Sequence, residues 1–182
     1  MTVSTAGEDY RCSYYVDATG PSGIIRKKRE SLIPAAKYEV RGDWFKDGEV
    51  EVYLDQDKYP GFFAWAIPRG NGIAKVGVAG FGINSFRTIE AFLSGRRCDI
   101  LTRVAAPIYV GGPVQDFVSG RTIFVGESAG QVKPTTAGGI LGSVAGGMMA
   151  ARRVAESIDE NDPRAITTSR GSLPGCAALR AR

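Results

Sequence analysis

A short apolar strand, a glycine-bearing loop and a long helix follow one another between residues 122 and 158, and this succession constrains the fold most. The strand, residues 122–125, delivers the carboxylate of Glu127 at its carboxyl end, where ligands of α/β proteins tend to bind. The helix, residues 138–158, is predicted by apolar residues at helical spacing. Its start at Gly138 and Gly139 offers unpaired N–H groups and the positive end of the helix dipole. The segment therefore predicts a site for partial negative charge, with packing as the alternative explanation of its glycines.

Short strands precede this segment and predict an antiparallel sheet. Alternation over residues 49–55 predicts that Val50, Val52 and Leu54 face a core while the other side is wet. Residues 86–93 change to helical spacing, with Asn84 or Ser85 as the N-cap. The remaining predicted strands are residues 10–17, 37–41, 62–67 and 73–79. We therefore predict an α+β fold in which an antiparallel sheet packs against helices.

The composition excludes some classes of function. The chain has no histidine, which excludes imidazole catalysis and histidine-ligated metal sites, and we expect no metal. Its three scattered cysteines fit a reducing cytoplasm better than a disulfide scaffold. The net charge of +4 suits an anionic cofactor, a phospholipid head group or nucleic acid. The basic patches Arg26–Arg29 and Arg96-Arg97 are short and lie in no binding motif, so we expect solvated surface and no nucleic-acid partner.

An aromatic stripe at residues 60–68 places Phe63, Trp65 and Ile67 on one face of a strand. Such a stripe is ordinarily core. Its spacing nevertheless resembles the PxxYxWxFP signature of geranylgeranyl reductases, with Phe63 in place of Tyr and Ile67 in place of Phe. The resemblance implies a slot for a polyprenyl substrate, whose burial stabilises by about 0.8 kcal/mol per CH₂.

The glycine-bearing loop and helix start resemble the second FAD motif of the p-hydroxybenzoate hydroxylase-like flavoproteins. The matching residues are Gly126, Glu127, Pro134, Gly138, Gly139 and Ile140. That family usually has Asp at the position of Glu127. The resemblance implies that this carboxylate bonds the ribityl chain of FAD and that the helix start approaches the isoalloxazine. Residues 105–149 resemble the geranylgeranyl reductase branch in particular.

Asp17 and Gly20 lie in a turn that follows a predicted strand. They resemble the DG segment of the same superfamily, which lies near the cofactor and joins the two domains. A plain Asp/Gly turn without a function is the alternative. The order of this turn, the aromatic stripe and the second FAD motif along the chain is the order in the family.

The resemblance covers residues 10–158 and implies the FAD- and substrate-facing portion of a two-domain flavoprotein. The GxGxxG fingerprint and its N-terminal Rossmann-type unit are missing, so we expect a truncated gene or a fragment. Non-covalent FAD binding should then be weak or absent, because the missing unit holds the pyrophosphate. We expect residues 1–9 to be disordered and residues 159–182 to form an irregular tail.

The implied activity is reduction of double bonds in geranylgeranyl chains of isoprenoid or archaeal-type membrane lipids, with an unknown electron donor. No catalytic residue can be assigned; Cys98 is a remote candidate, and a buried structural thiol explains it better. We expect a cytoplasmic protein, while peripheral membrane contact and homo-oligomerisation stay open. The alternative function is a non-catalytic remnant that binds lipid or a partner chain through exposed sheet edges.

Overall fold

The computed structural model describes residues 1–22 and 31–166, and these form an α+β fold. The predicted fold class, an antiparallel sheet with packed helices, is confirmed. The basic patch Arg26–Arg29 and most of the predicted tail lie outside the described residues.

Strands and two α-helices follow one another along the described chain. The strands are β1 (Thr2–Ser4), β2 (Asp9–Arg11), β3 (Tyr15–Asp17), β4 (Leu32–Ile33), β5 (Ala35–Gly42), β6 (Glu51–Tyr53), β7 (Ala64–Gly70), β8 (Ile73–Ala79), β9 (Cys98–Ala105), β10 (Ile108–Tyr109), β11 (Val118–Ser119) and β12 (Thr122–Phe124). The helices are α1 (Ser85–Leu93) and α2 (Ile140–Asp159). Short 3₁₀ turns occupy Gly20–Ser22, Gly126–Ala129 and Pro163–Ile166.

The main sheet is antiparallel and has the strand order β6-β7-β8-β5-β9. One of its faces packs against α1, because small and β-branched residues alternate toward that helix. Buried residues of this core include Tyr38, Val40, Ala64, Ala66, Val76, Val78, Ile89 and Phe92. Asn84 caps α1 as predicted, since its side-chain oxygen accepts the backbone N–H of Arg87 at 3.1 Å.

A smaller sheet, in the order β11-β12-β3, supports the other helix. β12 runs parallel to β3, with Phe124 opposite Asp17. α2 packs on this sheet through Ala150 and Val154, which contact Ile123 and Val125. Parallel pairing places the carboxyl ends of β3 and β12 side by side, and both predicted cofactor motifs begin there.

The predicted strand at residues 10–17 is wrong as a single element. β2 pairs with β1 in a separate hairpin, whereas β3 belongs to the sheet with β12. The backbone changes partners between the two strands, because Cys12 donates to Met1 while Tyr15 donates to Arg121. The paired strand β1 also replaces the disordered start expected for residues 1–9.

The predicted facing of β6 is also wrong. Val50, Val52 and Leu54 are 63%, 52% and 77% exposed, and the opposite side of the strand faces α1. The reason is Tyr53, whose ring packs edge-on against Phe92 with centroids 4.8 Å apart. Alternation distinguishes the two faces of a strand but does not show which one is buried. The face that carries Tyr53 is buried, because the aromatic ring packs against α1.

The tail expected to be irregular from residue 159 begins with ordered structure. Pro163–Ile166 form a 3₁₀ turn in which Ala165 and Ile166 are buried. Within the described residues, neither helix combines the length and the apolar character needed to cross a membrane.

Candidate functional site

The two predicted cofactor motifs meet at the carboxyl ends of β3 and β12. The Ser128 hydroxyl lies 2.6 Å from the carbonyl oxygen of Asp17 and 2.7 Å from that of Val125. Asp17 and Ser128 are both fully buried. The turn at Gly20–Ser22 packs against Gly126–Ala129. Sequence reasoning did not single out Ser128, although a small hydroxyl residue directly after a buried strand is suited to join two strand ends.

Asp17 shapes the turn that follows it. One carboxylate oxygen accepts the backbone N–H of Thr19 at 2.9 Å and its hydroxyl at 2.6 Å. Gly20 then adopts φ +78°, and a Cβ added there would meet nothing within 4 Å. The left-handed backbone conformation therefore favours glycine at this position.

Glu127 connects the motif to the segment before it. Its Oε1 accepts the backbone N–H of Tyr109 in β10 at 3.0 Å. Within the described chain, no hydrogen bond is made by its Oε2, so this oxygen can accept from a ligand. The contact with the ribityl chain stays a prediction, and the structural bond to β10 is a second role that the sequence did not indicate.

Glycines in and after the loop fall into two groups. At Gly142 and Gly146, an added Cβ would lie 2.5 Å and 2.0 Å from atoms of Gln131, so these glycines let the loop lie on α2. At Gly130 it would lie 2.2 Å from the carbonyl oxygen of Gly112. Packing within the chain explains this first group.

Gly138 and Gly139 form the second group, at the start of α2. Cβ atoms added there would meet their nearest neighbours at 3.4 Å, which is ordinary contact, and neither residue has a positive φ. Gly138 and Ile140 are exposed and Gly139 is half-buried, so the helix start is accessible. Packing within the described chain therefore gives no reason for glycine at 138 and 139.

Ala137, immediately before this helix start, packs against a buried cluster that contains Phe62. Phe63 and Trp65, which form the aromatic slot together with Ile67, pack against the same cluster. Ala137 also has φ +53°, a left-handed conformation that is unfavourable for a residue with a Cβ. Pro134, the other predicted residue of the loop, is exposed.

The aromatic slot lies on the main-sheet face opposite α1. The rings of Phe63 and Trp65 are edge-on with centroids 5.9 Å apart, and Phe62 stacks on Phe63 at 4.2 Å. Phe63 directly precedes β7, and Ile67 is 40% exposed further along that strand.

Two residues outside the predicted signature complete this face. Gly77 is the partner of Trp65 in β8, and a Cβ added there would lie 2.1 Å from the indole ring. The indole therefore lies directly over the backbone of Gly77. Val52 is the partner of Trp65 in β6 and extends the apolar surface outward. A glycine paired with a tryptophan on the neighbouring strand indicates that the indole packs closely on the backbone. The sequence contains both residues, but their pairing requires the register of β7 and β8.

Part of this chain is similar to archaeal lipid reductases, although no protein-family model matches it. It is 32% identical, over 163 residues, to a digeranylgeranylglycerophospholipid reductase of Methanothermobacter thermautotrophicus, covering 81% of this chain and 41% of the relative. It is 30% identical over 162 residues to one of Methanosphaera stadtmanae, covering 80% and 40%. The chain thus spans about two-fifths of the length of these relatives.

Solved structures show the same fold. A geranylgeranyl bacteriochlorophyll reductase-like protein from Thermoplasma acidophilum superposes with a TM-score of 0.77 at 22% identity, covering 87% of this chain and 45% of that one. A flavin-dependent brominase superposes with a TM-score of 0.65 at 16% identity, covering 90% and 48%. The predicted resemblance is therefore confirmed: over most of its length, the chain is similar to a portion of the geranylgeranyl reductases.

Proposed function

We propose that this chain forms the flavin- and polyprenyl-facing portion of an FAD-dependent reductase that saturates double bonds of geranylgeranyl chains. The single observation that carries the proposal is the pair of glycines at the start of α2. Gly138 and Gly139 are accessible and have no packing partner within the described chain that would exclude a Cβ. Glycines of this kind are explained by a ligand that lies against the backbone.

The surroundings of the helix start fit a flavin. The first N–H groups of α2 and its positive dipole end favour an electron-rich ring edge. Glu127 has an oxygen available for a hydroxyl of the ribityl chain, and the Asp17 turn packs beside it. A bound flavin would supply hydride for the alkene; Gly138, Gly139, Glu127 and Gly20 would bind and orient it.

The aromatic slot suits the substrate class. Phe63, Trp65 and Val52 offer an apolar surface, and Ala137, just before the helix start, packs on the same buried cluster as Phe63 and Trp65. An isoprenoid chain laid along this face would bring a double bond toward the flavin while the rings exclude water. Phe63 and Trp65 are therefore proposed to position substrate, and no described residue is assigned as proton donor.

Reduction of an alkene by a flavin needs a separate reductant to restore the reduced flavin. A phospholipid substrate would require access to a membrane surface.

The alternative function is a non-catalytic remnant that binds lipid or a partner chain. It is favoured by β9, an edge strand of which seven residues are exposed.

A hybrid protein tests the proposed activity. The remaining portion of the Methanothermobacter relative is joined to this chain, and the hybrid is supplied with FAD, a chemical reductant and a digeranylgeranyl phospholipid. We expect product masses that increase by the two hydrogens of each reduced double bond. The Gly139→Val variant should lose most of this activity while its melting temperature changes little, because a Cβ at this position makes only ordinary contacts with the chain. If the hybrid folds and binds FAD but the mass of the lipid does not increase, the result would favour the alternative of a non-catalytic remnant.

A further inference from the structure

A cleft of about 590 Å³ lies on the α1 side of the main sheet, opposite the aromatic slot. One wall is α1, and the other is the segment from Tyr53 to Tyr59. Val52, which shares the Trp65 face, precedes Tyr53 in β6, so adjacent residues of one strand point to the two sides of the sheet. The cleft is therefore separate from the proposed flavin and polyprenyl sites.

Arg96 is a half-buried cation held in this cleft by aromatic rings. Its guanidinium carbon lies 4.3 Å from the ring centroid of Phe92, 4.9 Å from that of Trp44 and 5.6 Å from that of Tyr53. One N–H group donates to the carbonyl oxygen of Phe92. In the part of the chain that the structure describes, Arg96 forms no salt bridge with a carboxylate. The ring contacts fix the guanidinium in place and leave N–H donors for a ligand.

The other charges of the cleft leave an excess of positive charge. Lys58 and Arg87 also line it, and among the described lining residues Asp55 is the only carboxylate. Asp55 bonds Lys58 at 2.8 Å, which leaves Arg87 and Arg96 without compensation inside the cleft. Burial, and then the hydrogen bond to Glu51, raise the pKa of Tyr53, so its phenol stays neutral beside Arg96.

We propose that this basic cleft binds a phosphate group, with Arg87 and Arg96 as its principal ligands. A guanidinium presents paired N–H donors that match phosphate oxygens, and it remains charged at every physiological pH. The hydroxyl of Thr88 and the ammonium of Lys58 add donors in the same lining, while Ala91 provides apolar contact for the carbon part of the ligand. The phosphate belongs either to a small phosphate ester or to a lipid head group.

Calorimetric titration of the full chain with glycerol phosphate at low ionic strength tests the site. We expect saturable binding that weakens by about tenfold or more in Arg87→Gln, because one charge-assisted hydrogen bond is lost. Arg96→Gln should weaken binding at least as much. Because Arg96 also packs against three rings, the Arg96→Gln variant is checked for folding by thermal melting. If that variant unfolds, Arg87→Gln still tests the proposal, because Arg87 is exposed.

Arg97→Gln is the matched control, because it removes the same charge one residue away. The Arg97 side chain is 91% exposed, pairs with Asp43 and does not line the cleft. Its affinity for glycerol phosphate should stay within about twofold of the unchanged chain. Equal weakening in Arg97→Gln and Arg87→Gln, or no saturable binding at all, would overturn the proposal.

Sedimentation with phosphatidylglycerol vesicles distinguishes the two sources of phosphate. If the ligand is a head group, the chain sediments with these vesicles, and Arg87→Gln and excess glycerol phosphate both release it. If the chain binds glycerol phosphate but not vesicles, the ligand is a small phosphate ester. Neither result depends on flavin or on the Trp65 face, so the reductase proposal can fail while this one stands.

Discussion

Gly77 and Trp65 form the closest side-chain-to-backbone packing in the aromatic slot. The indole occupies the space where any Cβ at residue 77 would be. We predict that Gly77→Val displaces the indole and lowers the free energy of unfolding by about 1–3 kcal/mol, the usual cost of overpacking. That cost should exceed the gain in β-propensity, which spans about 1 kcal/mol over all residue types. Urea denaturation measures the change.

Gly147→Ala is the control for that experiment. Gly147 lies within α2, and an added Cβ would meet nothing within 4 Å. Alanine there should raise the free energy of unfolding by up to about 1 kcal/mol, because it removes the conformational cost of a helical glycine. If Gly77→Val were as stable as the unchanged chain, the indole would not lie over the β8 backbone.

At the residue scale, the sequence shows where the motifs lie. It does not show which residues the motif side chains pack against or bond. Trp65 was identified from its spacing, whereas its partner Gly77 depends on the pairing of β7 with β8, a non-local property. Glu127 was placed at the carboxyl end of a strand correctly, but its bond to Tyr109 joins residues 18 positions apart. Such partners are set by tertiary packing, which neither composition nor local spacing encodes.

At the element scale, α2 is only lightly covered by the described chain. Ile140, Val144 and Met148 recur at helical spacing as predicted, yet they are 81%, 55% and 70% exposed. The helix contacts its sheet through an adjacent side, around Ala150 and Val154. Periodicity predicted the helix to within two residues at its start, but it could not show that no element among the described residues covers this apolar stripe.

Charge placed on the two sides of α2 should therefore have opposite consequences. We predict that Val144→Lys changes the free energy of unfolding by less than about 0.5 kcal/mol, as for other exposed positions. Ala150→Lys, on the covered side of the same helix, should be strongly destabilising, because it buries an unpaired charge. Thermal denaturation of both variants compares them. Strong destabilisation by Val144→Lys would mean that the stripe is buried in solution, for instance between two copies of the chain.

At the scale of the whole molecule, α2, β3 and β12 bring Asp17, Glu127 and the two glycines of the helix start to one region. Ala137, beside that region, packs on the same buried cluster as Phe63 and Trp65 of the aromatic slot. The chain spans about two-fifths of its curated relatives. It contains no GxGxxG fingerprint, the element that binds the pyrophosphate of dinucleotides in Rossmann-type folds. We therefore expect this chain alone to bind FAD weakly and through one end of the cofactor, since the charge-assisted hydrogen bonds of the pyrophosphate, each worth about 1.5–3 kcal/mol, are not supplied.

Saturation-transfer NMR of FAD with the 182-residue chain tests this claim most directly, because it detects weak binding and reports which ligand protons touch the protein. We expect strong saturation of the isoalloxazine methyl and ring protons and little saturation of the adenine protons. Gly139→Val should abolish the isoalloxazine signal, and Gly147→Ala should leave it unchanged, because only the first position lies at the helix start. Stronger saturation of adenine than of isoalloxazine, or an isoalloxazine signal that survives Gly139→Val, would show that the start of α2 does not contact the flavin ring.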